Sequence, residues 1–138
     1  MRKILIGNTN QGWEVDDINK VLNIYQSANV IEQIKKRKIC VEIYFSNIKN
    51  ITVNYSISST PYNEKQYFIK FNVYTNDENS YEFNAMMNGI SRQIFKNAIM
   101  LLYDNSIIIN DLYRILEKII NTEDAIWDIL YETEKIKK

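Results

Sequence analysis

The chain of 138 residues has no histidine, one cysteine, one proline and three glycines. Without histidine there is no Ser-His-Asp or Cys-His nucleophile, no His-ligated zinc or iron, and no side chain that ordinarily titrates near neutrality. A carboxylate-only active site survives this exclusion, since paired Asp/Glu can hydrolyse glycosides or hold magnesium. No such pair stands out, so neither catalytic residues, a metal site nor a cofactor is expected. Cys40 cannot form an internal disulfide, and its Val/Ile/Tyr-rich surroundings mark it as a small apolar strand residue.

An excess of charge of either sign is also missing. Lys+Arg and Asp+Glu both number 17, which gives no global field for nucleic acid or an anionic membrane, so a polar partner has to be met by a local patch. The apolar stretch at the amino terminus is far short of a signal sequence, and no later run approaches a membrane span, which leads us to expect a cytoplasmic protein. Hydrophobic residues make up 46% and charged residues 25% of the chain, the balance of a globular protein with a real core. The length and the lack of linkers predict a single α+β domain over residues 1–138.

What is present is mostly period. Lys3 to Ile6 reads as a strand. Val15, Ile18, Val21, Leu22 and Tyr25 have helical spacing, and Glu14, Asp16 and Asp17 would occupy the first turn of a helix from about Glu14 to Ser27. Val30 to Lys38 is ambiguous, and its basic run Lys35-Lys36-Arg37-Lys38 reads as a solvated helix end. From Ile39 the period becomes two. Four runs, Ile39–Phe45, Ile51–Ser58, Tyr67–Tyr74 and Tyr81–Ala85, alternate apolar with polar and predict an antiparallel meander with one apolar face. A carboxy-terminal block of three helices, from about Ser91, from about Asn110 and after Thr122, would cover that face.

Two acidic and aromatic clusters are candidates for a partner-binding surface. On the last helix Asp124, Asp128 and Glu132 stand four apart beside Trp127 and Tyr131, also four apart. An aromatic anchor supplies buried area and flanking carboxylates steer a basic protein surface, as an inhibitor of a toxin or of a defence component requires. Trp13 with Glu14, Asp16 and Asp17 has the same chemistry, although an aromatic residue there also suits a hydrophobic staple. The function expected is a non-enzymatic inhibitor in bacterial or phage genetic conflict that occludes a protein partner.

Other readings rest on other residues. The polar sheet face, with Tyr44, Asn54, Asn72 and Tyr74 and with Phe68, offers hydrogen bonding and stacking to a small ligand. Residues Ala85 to Ala98 resemble the helix-turn-helix pattern of bacterial repressors, which would make Ser91, Arg92 and Gln93 the opening of a DNA-reading helix. That arrangement needs helix over Tyr81 to Asn88, where the alternation predicts strand. Gly7 to Gly12 resembles a phosphate loop without its GK[ST] ending, and reads as a strand-to-helix turn.

Ile43, Val53, Ile69 and Phe71 sit centrally in the alternating runs and should be buried. Ile69→Asp should therefore abolish cooperative unfolding, because an unpaired buried carboxylate costs several kcal/mol against a total stability of about 5–15 kcal/mol. A soluble Ile69→Asp protein with a sharp melting transition would contradict this face assignment.

Overall fold

The computed structural model describes residues 2–7, 12–26, 39–59, 61–62, 65–86 and 92–137. They form an α+β fold of two four-stranded sheets and, among the described residues, three α-helices. The first sheet is an antiparallel meander of β1 (Lys3–Gly7), β2 (Gly12–Asp16), β3 (Val21–Gln26) and β4 (Ile39–Tyr44). A short 3₁₀ turn, Phe45–Asn47, leads into the second sheet: β5 (Ile48–Ser59), β6 (Lys65–Thr75), β7 (Ser80–Met86) and β8 (Ile109–Asp111), in the order β7-β6-β5-β8. The helices are α1 (Arg92–Asp104), α2 (Ile115–Asn121) and α3 (Ile126–Lys137).

The helix expected from Glu14 to Ser27 is instead the hairpin β2–β3. Trp13 and Val15 alternate with Glu14 and Asp16 across one strand, Leu22 and Ile24 with Asn23 across the next, and this period of two overrides the coincidental helical spacing. The acids that looked like a first helical turn close the hairpin. Asp16 Oδ1 accepts the backbone N–H groups of Ile18 and Asn19, each at 2.9 Å, and Lys20 takes a left-handed conformation at φ 57° before β3 begins. Gly7 pairs with Gly12 across β1 and β2, so the intervening segment joins antiparallel strands and does not lead into a helix.

The other correction concerns strand membership. Ile39–Tyr44 is a strand as expected, but it pairs with β3, leaving β5, β6 and β7 as the meander of the second sheet. The fourth strand of that sheet is β8, parallel to β5, where a helix was expected to start near Asn110. Its β-branched run Ile107-Ile108-Ile109 favours an extended backbone, so α2 begins only at Ile115. A turn over Thr75–Asn79 joins β6 to β7, closed by a 2.9 Å bond from Thr75 N–H to Asn79 O. Val30 to Lys38, with its basic run, lies outside the described residues.

Each sheet buries one face. In the first, Ile4, Val15, Leu22 and Ile43 are in register across all four strands, with Ile6, Trp13 and Ile24 in the next row. In the second, Ile51, Val53, Tyr67, Ile69, Phe71, Val73 and Phe83 are buried. One apolar cluster joins these faces to all three helices. At its centre Trp13, 1% exposed, meets Phe71 at 5.5 Å, Phe83 at 5.0 Å and Phe95 of α1 at 6.2 Å.

Trp13→Ala should cost about 3–5 kcal/mol, the usual loss for a large aromatic removed from a close-packed core. Chemical denaturation should show it as a lowered midpoint. A loss below about 1 kcal/mol would mean the two sheets do not depend on this side chain.

Candidate functional site

The last helix is anchored from both directions. Its inner face places Ile129 and Leu130 in the core, and one turn further on the same stripe carries Thr133 and Glu134 inward. A buried carboxylate needs a donor, and Glu134 Oε2 accepts the Tyr67 hydroxyl of β6 at 2.5 Å. Before the helix, Arg92 at the start of α1 donates from Nη2 to the Ile119 carbonyl at 3.0 Å and to the Thr122 carbonyl at 2.7 Å. Its Nη1 donates to the Asp124 carbonyl. These acceptors lie at the end of α2 and just past it, where carbonyls lack helical partners and the helix dipole favours a cation. Arg92 thereby sets the direction in which α3 leaves.

The outer face carries the aromatic and acidic residues. Trp127 is 52% and Tyr131 37% exposed, and their rings stack at 5.3 Å with 14° between planes. Tyr67 stands perpendicular to both, 5.2 Å from Trp127 and 6.4 Å from Tyr131. The column continues to Lys135, whose Nζ lies 4.5 Å from the Tyr131 ring centroid and 3.8 Å from Glu132 Oε1. Asp128 and Glu132, one turn apart, are exposed on α3, whereas the helix expected directly after Thr122 begins only at Ile126, so Asp124 is exposed in the non-helical segment that precedes it. Burial, the hydrogen bond to Glu134 and the Glu134 charge push the Tyr67 hydroxyl up to about 12. At neutral pH it is a fixed donor that locks the base of the ring column.

The second cluster is not a surface anchor. Trp13 belongs to the core, so its indole is withdrawn from any partner, and the acids beside it serve the hairpin. Glu14 Oε1 accepts from Asn23 Nδ2 at 3.1 Å. Asp16 is held below the usual carboxylate range: burial opposes its charge, but bonds from the Asn19 backbone and side chain and from Ile18, with Lys3, outweigh it. Asp17 is lowered by Lys20 and by Asn105 at the end of α1, which donates to it at 3.0 Å. β2 packs mainly on its sheet neighbours, α1 and β7, whereas α3 packs on α2 and β6.

The alternative ligand face is divided as well. Tyr44 ends β4 in the first sheet, while Asn54, Asn72 and Tyr74 lie on the second. There Asn54 Oδ1 is occupied by the Tyr55 backbone N–H at 2.8 Å, and Lys70 pairs with Glu82 at 3.5 Å. Phe68 and Tyr74 are on one strand, about 20 Å apart, too far to sandwich one ring. Tyr81 and Phe83 are strand residues of β7, so the first helix of a helix-turn-helix does not form there, and Arg92 is engaged within the protein. Ser91 lies outside the described residues.

Sequence reasoning missed Tyr67, Glu134 and Lys135, and considered Arg92 only as a DNA-reading residue. Continuing the Ile126, Ile129 and Leu130 stripe by a turn reaches Glu134, and continuing the Trp127 and Tyr131 spacing reaches Lys135. Nothing in the sequence points from Arg92 to carbonyls about thirty residues away. Among the described residues no group of three or more Cys, Asp or Glu is placed to hold a metal ion. Nor is any helix among them long and apolar enough to cross a membrane. Comparison with protein families, with curated proteins and with solved structures finds no match.

Tyr67 makes stability depend on alkaline pH. An unfolded tyrosine loses its proton near 10, while folded Tyr67 keeps it to about 12. Its contribution is complete below pH 10 and is lost as pH rises between those values, since only the unfolded chain releases the proton. Tyr67→Phe should flatten that part of the stability curve, leaving the portion due to Tyr103, which burial and the Asp111 and Glu117 charges also raise. Parallel curves for the two proteins would contradict the assignment.

Proposed function

We propose that the chain is a binding protein that docks the outer face of α3 onto a basic protein surface and blocks it. The role this suits best is a small inhibitor in bacterial or phage genetic conflict, either an immunity protein or an anti-defence protein. The observation that carries the reading is the stacked Trp127–Tyr131 pair, exposed on a helix fixed at both ends that also exposes Asp128 and Glu132, with Asp124 exposed just before it. A large exposed ring that does not need to be ordered on binding is what an interface anchor requires. The absence of histidine and the balanced net charge agree with binding through a local acidic patch. Exposed carboxylates contribute mainly to the rate of encounter, while the ring governs how long the complex lasts.

The test takes its partner from co-purification out of the native host or from co-expression with the adjacent gene. Trp127→Ala should weaken that complex by about 2 kcal/mol or more, chiefly through faster dissociation. Replacing Asp124 and Asp128 by Asn and Glu132 by Gln should slow association and flatten its salt dependence. Unchanged affinity and salt dependence in a folded protein carrying all four substitutions would remove α3 as the interface.

A further inference from the structure

Resting on the proposed docking face, the geometry points to the chemistry of the group that meets it. The ring column is finished at one end and unfinished at the other. At the carboxy-terminal end, Tyr131 presents the face turned away from Trp127 to Lys135, and the same ammonium pairs with Glu132. One ring face, one cation and one carboxylate make a complete set. At the amino-terminal end, the face of Trp127 turned away from Tyr131 has no cation over it among the described residues.

Tyr67 does not cover that face. It stands 5.2 Å from Trp127 yet only 6.4 Å from Tyr131, which places it beside the stack, since a ring on the far face of Trp127 would be much further from Tyr131. Glu123 and Asp124 lie in the non-helical segment that enters this end of α3, and both are exposed. Arg92 reaches this end of the helix, but its guanidinium is occupied by the carbonyls of Ile119, Thr122 and Asp124.

We infer that the free face of Trp127, with Glu123 and Asp124, is a seat for a cationic side chain of the partner, an arginine laid flat on the indole. A guanidinium is the better fit than an ammonium, because it is planar, weakly hydrated along its faces and able to donate to two carboxylates while stacked. The seat repeats in trans the set that Tyr131, Lys135 and Glu132 make within the chain.

The chain contains two tryptophans, and the core position of Trp13 makes it an internal control. Indole N–H resonances of the full chain can be followed during titration with an oligo-arginine peptide and with its uncharged oligo-citrulline counterpart. The arginine peptide should move the Trp127 signal saturably and leave Trp13 in place, and the citrulline peptide should move neither. Trp127→Leu should weaken binding of the arginine peptide roughly tenfold, and Glu123→Gln with Asp124→Asn should do the same with the ring intact. A Trp127 signal that oligo-arginine does not move, or that citrulline moves equally, would overturn the seat. If the adjacent gene product needs Trp127 while oligo-arginine leaves it unmoved, the docking reading stands and the seat falls. If oligo-arginine moves Trp127 but that product ignores the residue, the seat stands and the docking reading falls.

Discussion

The indole of Trp13 touches both sheets and the first helix at once, through Phe71, Phe83 and Phe95. Each sheet has one apolar face to remove from water, and this side chain is where the two faces share a cover. Its Nε1 N–H is buried with no hydrogen-bond partner among the described residues, a cost of about 1–3 kcal/mol. Burying roughly 200 Å² of aromatic surface returns about 5 kcal/mol, so the position remains favourable. The same contacts carry α1 into the junction, and α1 begins with Arg92. The placement of the last helix therefore depends on a core residue of the second strand.

From that junction the structure builds a surface with little freedom. Arg92 holds the approach to α3, the bond from Tyr67 to Glu134 holds its inner side, and the perpendicular Tyr67 ring supports the exposed column. Like charges at Asp128 and Glu132 stand four residues apart on α3 and cost a few tenths of a kcal/mol. Asp128, in the first turn, recovers part of that from the helix dipole. Glu132, further along, recovers its share from Lys135 at 3.8 Å. A helix could therefore carry this acidic side at small cost, and an interface would gain a long-range field from it.

The period of two in β4 to β7 was legible because each strand has one buried and one open face, and the burial of Ile43, Val53, Ile69 and Phe71 follows from it. The hairpin β2–β3 was not, because Val15, Ile18, Val21, Leu22 and Tyr25 have helical spacing, while the inward strand set Trp13, Val15, Leu22 and Ile24 changes parity across the turn that Asp16 closes. Pairing partners are non-local, which is why β4 was placed beside β5 when it pairs with β3. The Trp127–Tyr131 and Asp128–Glu132 pairs of α3 were readable from spacing alone, since a helix brings residues four apart together, but Asp124 falls before the helix that the same spacing extended to it. Trp13 was misread for the same reason that the hairpin was, and the anchors Arg92 and Tyr67 come from segments that no local pattern connects to α3.

The central claim is that the outer face of α3 is the surface that binds. Amide hydrogen exchange of the chain, free and in complex with the product of the adjacent gene, tests it most directly. The account predicts new protection in residues 122–135, with the strands of the second sheet unchanged. Protection confined to β5, β6 and β7, with α3 exchanging as in the free protein, would contradict it.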